Sequence, residues 1–277
     1  MIAPVVDAAW WRAHPDGSPG SPVLADVRWY LDGRSGREAY ERGHLPGAVF
    51  VDVDRWLAAP GIPERGRHPL PPPEVFAEGM ASGGIGDADV VVAYDDLGGV
   101  VAARLVWMLR VTGHEAALLD GGLAVHDAQR DGPLSTGTVA RPRARFTPHP
   151  WPAEAIVELD EVLAGGLVLL DARDGARYRG ETEPVDPRAG HVPGARSMPC
   201  RENLGPDGRL LPVEQLRARF ATIGVTDATG TVSYCGSGIN ACHNLLAMEH
   251  AGLGRGRLWP GSWSQYSNRP DLPAGTG

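Results

Sequence analysis

Val232-Ser233-Tyr234-Cys235-Gly236-Ser237-Gly238-Ile239-Asn240-Ala241-Cys242-His243 is the stretch on which the reading of this chain turns. Residues 232–234, β-branched and aromatic, read as the end of a buried strand. A loop with two glycines follows, then a helical pattern from about 240 to 251 with Leu245, Leu246 and Met248 as its apolar positions. Cys235 therefore stands where a strand stops and a helix is about to start. Gly236 and Gly238 allow a tight turn in which several N–H groups face one centre, and the positive end of the helix points the same way. A thiol so placed has its thiolate, the nucleophilic form, favoured. The plain alternative is a buried structural cysteine before a turn. Two glycines flanking a serine favour the nucleophile.

Two chemistries use such a cysteine. A cysteine phosphatase needs an arginine at the far end of the loop to clamp phosphate through paired hydrogen bonds, but the sixth residue after Cys235 is Ala241 and the next is Cys242. Sulfur transfer needs only a ring of backbone donors around a persulfide anion. The loop fits sulfur transfer better.

Cys-Gly-Ser-Gly-Ile-Asn, with Tyr234 before it and Ala-Cys-His-Asn-Leu-Leu-Ala-Met-Glu-His-Ala-Gly after it, resembles the active-site loop of the rhodanese superfamily. It is most similar to the mercaptopyruvate branch, whose loop is typically Cys-Gly-Ser-Gly-Val-Thr; Gly261-Ser262-Trp263-Ser264 also matches. Ile239 and Asn240 depart from that pattern. Asn240 replaces a hydroxyl with an amide at the helix start, where either can cap.

The rest of the composition sets bounds. A chain of 277 residues, 43% hydrophobic, suggests two domains of ordinary size with proper cores. A net charge of −8 argues against a nucleic-acid or anionic-membrane binder. Cysteines at 200, 235 and 242 form neither a disulfide framework nor a Cys-x-x-Cys pair, which suits a reducing cytoplasm. The first residues carry no basic region and meet Asp7 early, unlike a secretory signal. No apolar run approaches the roughly 20 residues of a spanning helix.

An internal repeat predicts the architecture. Ala25-Asp26-Val27-Arg28, Gly43-His44-Leu45-Pro46-Gly47-Ala48, the run 90–95 and Leu119-Asp120-Gly121-Gly122 recur in order. Their counterparts are Leu170-Asp171-Ala172-Arg173, Gly190-His191-Val192-Pro193-Gly194-Ala195, the run 231–235 and Trp259-Pro260-Gly261-Ser262. This reads as a duplicated α/β unit, each copy a parallel sheet flanked by helices; the resemblance implies the same tandem arrangement. The expected division is an inactive copy over 1–130, a connector over 131–152 and a catalytic copy over 153–277. Strands are expected at 23–27, 49–53, 90–94 and 167–170, and helices at 36–42, 73–82, 159–164 and 213–223. Asp95 occupies the position of Cys235 in the first copy, and a carboxylate cannot do thiolate chemistry, so that copy is read as structural. The run 174–190 reads as an insertion without a counterpart of matching length, a place to look for substrate contacts.

The site residues follow from the loop and the resemblance. The amides of Gly236, Gly238, Ile239 and Asn240 would cradle sulfur. The resemblance places the two substrate arginines on Arg179 and Arg188, for which a surface salt bridge is the bland alternative. It places a serine–histidine–aspartate relay on Ser237, His68 and Asp54. His44 and His191 recur in both copies and so belong to the fold. Cys242 and His243 lack the further ligands a metal would need, so neither metal nor cofactor is expected. The expected activity is sulfur transfer from 3-mercaptopyruvate through a Cys235 persulfide to cyanide or a thiol acceptor such as a thioredoxin-like protein, with pyruvate released. The rivals are thiosulfate:cyanide transfer and a persulfide carrier fed by a partner protein.

Overall fold

The computed structural model describes residues 1–15 and 20–277. The chain divides into two compact units. The first comprises Met1–Ala58, Pro71–Trp151 and Pro206–Leu210; the second comprises Ala59–Leu70, Pro152–Gly205 and Leu211–Gly277. The short segment 59–70 thus belongs to the unit that carries Cys235, although it precedes the connector in sequence.

The first unit is a five-stranded parallel sheet. Its strands are β1 (Val5–Val6), β2 (Val23–Asp26), β3 (Val49–Phe50), β4 (Val91–Tyr94) and β5 (Ala116–Leu119), in the order β1-β5-β4-β2-β3. The second unit holds β6 (Val168–Asp171), β7 (Arg196–Ser197), β8 (Thr231–Tyr234) and β9 (Arg257–Leu258), parallel and in the order β7-β6-β8-β9. Every residue of β2, β4, β5 and β8 is buried. Helices cover both faces of such a sheet, so its strands read as unbroken apolar runs instead of alternating ones. Each unit has a core of its own, around Leu24, Val92 and Tyr94 in the first and Val232, Tyr234 and Trp259 in the second.

Helices form where their ends are specified. Gly36–Arg42 starts from Ser35, whose hydroxyl accepts a hydrogen bond from Glu38 N. Pro73–Ser82 starts with proline at its first position, where the missing N–H costs nothing. Leu159–Ala164 and Val213–Thr222 also lie where the pattern puts them.

The repeat extends to individual bonds. Arg28 holds Asp26 and donates to Gly43 O at 2.7 Å; Arg173 holds Asp171 and donates to Gly190 O at 2.6 Å. These two clamps close excursions that differ in length by only two residues. The run 174–190 is therefore no insertion: the first copy makes the same excursion with a longer helix, and only the composition differs. His44 stacks on Tyr40 with Nδ1 at 2.9 Å from Tyr40 O, and His191 stacks on Tyr178 with Nδ1 at 2.8 Å from Tyr178 O. Both histidines hold a turn. The run 131–151 packs on the first unit, with Phe146 edge-on to Phe76 and the Trp151 indole donating to Pro71 O at 2.8 Å.

Candidate active site

Cys235 directly follows β8 and is 3% exposed. Gly238 N donates to its Sγ at 3.1 Å. Gly238 has φ +81°, and a Cβ there would meet Pro260 O at 2.7 Å, so only glycine places this amide without strain. The nucleophile is pinned from behind by the helix Ser262–Tyr266 and its first turn. Cys235 N donates to Ser262 Oγ at 3.2 Å, Trp263 N to Cys235 O at 3.0 Å and Ser264 N to Gly236 O at 2.9 Å. Ser262 has φ +52° and is the one non-glycine residue with positive φ among the described residues. Such strain persists only where surrounding contacts over-determine it; here the Ser262 hydroxyl also donates to Trp259 O at 2.9 Å.

Asn240 does not cap the helix Ala241–His250. It already has helical dihedrals, φ −66° and ψ −21°, whereas a capping side chain needs the extended conformation. Ile239 is buried in the loop. Cys242 is buried, with Sγ donating to Gly238 O at 3.4 Å. Cys200 is also buried, which pushes its thiol up to about 12.

The segment 59–70 brings His68 to the nucleophile loop: His68 Nδ1 stands 2.8 Å from Ser237 Oγ. Ser264 Oγ accepts from Arg67 N at 3.0 Å, and Gln265 Nε2 donates to Glu64 O at 2.6 Å while its Oε1 takes the Trp259 indole at 2.9 Å. A cavity of about 470 Å³ opens beside His68, with Ile62, Arg67 and Ser264 in its wall. Asp54 lies in the first unit, where its carboxylate accepts from the Trp29 indole at 3.0 and 3.1 Å.

The arginines nearest Gly236 are Arg67 and Arg177. A Cβ built on Gly236 would stand 3.0 Å from Arg67 Nη2 and 3.5 Å from Arg177 Nη1. Arg179 instead is half exposed and paired with Glu181 at 2.7 Å, because it lies one residue beyond the helix Gly175–Tyr178 and turns outward. Arg188 spends its guanidinium on the carbonyls of Ser267, Leu272, Tyr266 and Arg269 at 2.8–3.0 Å, fastening the C-terminal segment. Arg67 adjoins His68 and Arg177 lies two residues before Arg179, but only tertiary packing selects them. Arg67 pairs with Asp186, and Arg177 pairs with Glu183 at 2.6 Å and Asp186 at 3.2 Å. Burial pushes the Asp186 carboxyl up against the pull of Arg67, whereas at the less buried Glu183 desolvation is outweighed by Arg177 and backbone amides, which hold it below its ordinary value.

The Rhodanese-like domain family matches residues 13–126 and again 156–269. The chain belongs to the rhodanese family. A probable 3-mercaptopyruvate sulfurtransferase of Pseudomonas aeruginosa is 42% identical over 92% of both chains. A putative thiosulfate sulfurtransferase of Mycobacterium tuberculosis is 39% identical over 93% of this chain and 92% of its own. The crystal structure of SseA from Escherichia coli, one of the 3-mercaptopyruvate sulfotransferases, superposes with a TM-score of 0.80 at 33% identity, covering 95% of this chain and 99% of that one. With such relatives this chain is an enzyme of sulfur transfer, and it takes a sulfur donor and an acceptor as that family does.

The other rhodanese copy carries an internal record of what the loop can hold. Asp95, at the position of Cys235, is fully buried, and its carboxylate accepts from the amides of Leu97, Gly99, Val101 and Ala102 at 2.7–2.9 Å. Burial pushes that carboxyl up and the four amides pull it back. The carboxylate reaches one bond beyond Cβ–Cγ, much as the outer sulfur of a persulfide reaches beyond Cβ–Sγ. A strand-loop-helix turn of this fold thus closes four amides around a buried anion, though a carboxylate oxygen sits nearer Cβ than a persulfide's outer sulfur does.

Proposed function

We propose that this chain transfers sulfur from 3-mercaptopyruvate by way of a Cys235 persulfide. The observation that carries the reading is the Ser237–His68 pair, 2.8 Å apart and two residues from the nucleophile. The Cys235 thiolate attacks the donor sulfur, and a sulfur–sulfur bond forms as the donor's carbon–sulfur bond breaks. The electron pair passes to carbon as the enolate of pyruvate, which needs a proton. Ser237 and His68 relay one from the former donor thiol, leaving neutral-carbon pyruvate and an anionic persulfide. The resemblance assigns Asp54 to the same relay, beyond His68. Arg67 Nη2 and Arg177 Nη1 make no hydrogen bond within the described residues and border Gly236, so they suit the donor carboxylate. The persulfide then rests among the amides of residues 236–240 until a thiolate, such as that of a thioredoxin-like protein, or cyanide attacks its outer sulfur and regenerates Cys235. No cofactor enters these steps. Three buried cysteines, none of them in a disulfide among the described residues, support a reducing cytoplasm as the setting.

Thiosulfate is the second reading, favoured by the two guanidinium groups at Gly236 and by the name of the Mycobacterium relative. Its leaving group, sulfite, departs without a proton, so it leaves the Ser237–His68 pair without a task. Intact-mass measurement of the reduced protein after exposure to each donor tests the proposal. A gain of one sulfur from 3-mercaptopyruvate with equimolar pyruvate supports it; a gain only from thiosulfate, or from neither, overturns it.

A further inference from the structure

Six charged side chains form a line that ends at the nucleophile loop. Asp171 holds Arg173 at 2.6 Å, Arg173 reaches Glu183 at 3.2 Å, Glu183 holds Arg177 at 2.6 Å, and Asp186 joins Arg177 at 3.2 Å to Arg67. Three carboxylates alternate with three guanidinium groups, so the line is neutral as a whole. Asp186 is its last anion. Its side chain is 2% exposed, against 28% for Arg67, and it is shared by the two arginines that border Gly236. A buried carboxylate needs such partners to stay ionised. Conversely, the two arginines carry less effective charge into the site than two unpaired guanidinium groups would.

We propose that Asp186 is a specificity-determining residue that sets the charge preference of the donor site, holding the Arg67–Arg177 pair to a strength suited to a monoanion and against a dianion. The part concerning donors rests on the sulfur-donor reading above. The physical basis is that removing one negative charge near the site favours a dianion by twice the Coulomb energy it grants a monoanion. At a separation of several ångströms, in a partly buried site, that difference amounts to on the order of tenfold in relative rate.

The test uses the full chain. Asp186→Asn and the smaller Asp186→Ser make the same charge change, so either one that folds suffices, and Asp186→Glu restores the charge. Two ratios are read for each protein. The first is kcat/KM for thiosulfate over kcat/KM for 3-mercaptopyruvate, with cyanide as acceptor. The second is the rate of Cys235 alkylation by anionic iodoacetate over that by neutral iodoacetamide, which needs no donor at all. The proposal expects both ratios to rise on the order of tenfold in the neutral variants and to return near wild type in Asp186→Glu. If the variants slow both reagents of each pair equally, Asp186 only braces the loop and the proposal fails. If neither donor is turned over by the wild type while the alkylation ratio still moves with charge, the donor reading fails and the role of Asp186 stands.

Discussion

Ser262 shows how far a single residue is committed to this site. Its counterpart in the first copy is Gly122, which takes positive φ without strain; Ser262 takes φ +52° at a cost of about 1–3 kcal/mol. The hydroxyl is what the strain accommodates, since it accepts the Cys235 N–H. Ser262→Gly relieves this strain but takes the partner from the buried Cys235 N–H, two effects of about 1–3 kcal/mol each, so the melting temperature is expected to stay nearly unchanged while kcat/KM falls about tenfold; a Tm fall with unchanged activity would refute this. The cysteines divide by environment in the same way. With its thiol pushed up to about 12 by burial, Cys200 holds only about one part in ten thousand as thiolate at pH 8. Iodoacetamide at that pH should label native protein at Cys235 alone, and Cys235→Ser should abolish both labelling and turnover. Peptide mapping reads the first and pyruvate release the second. At Asp95 the expectation is structural. Asp95→Asn presents an amide N–H₂ to amide donors, and should destabilise the first unit by about 1–3 kcal/mol for each donor left unpaired, measured by denaturant unfolding.

Among the elements, the helix Ser262–Tyr266 and the segment 59–70 act as one device. Ser264 holds the nucleophile loop with its N–H and the Arg67 backbone with its hydroxyl. Gly66 has φ +82° and lies so close to Gly261 O that a Cβ would collide with it. Gly66→Ala should push the segment outward, carry His68 off Ser237 and cost about 10²-fold in kcat, with a smaller change in KM. An equal loss in KM alone would point to donor binding instead. This device also marks the limit of what the sequence discloses. Strand-loop-helix order, the repeat and the helices over 36–42, 73–82 and 159–164 are legible because caps, prolines and apolar periodicity are local signals. The two-residue strands β7 and β9 have no period to read. Arg177 and Arg179 differ only in phase at the end of a one-turn helix, so pattern cannot say which faces Gly236. His68 emerges from resemblance, whereas Arg67, its neighbour, is selected by packing that no local pattern encodes.

At the scale of the whole molecule, sequence halves and compact units do not coincide. The unit bearing Cys235 takes Ala59–Leu70 from the first half, and the other unit takes Pro206–Leu210 from the second, where Leu210 N donates to Asp120 at 2.8 Å. A cut within the connector therefore divides the chain at its repeat but not at its packing. A fragment of residues 153–277 would keep Cys235, its loop and Arg177. It would lose His68 and Arg67, leave Asp186 with one arginine instead of two, and leave the Ser264 hydroxyl and Gln265 Nε2 without the partners they have at Arg67 N and Glu64 O. Leaving buried polar groups unpaired costs about 1–3 kcal/mol each, a large share of a domain's marginal stability. The fragment is thus expected to melt well below the full chain and to take sulfur from 3-mercaptopyruvate at least 10²-fold more slowly, the usual contribution of a proton-transfer group. Co-expression with residues 1–152 should restore both, because it returns the segment 59–70 without restoring the covalent link. Thermal melts together with single-turnover pyruvate release decide the matter: a lone fragment as fast as the full chain would show that His68 is dispensable, and with it the proton relay.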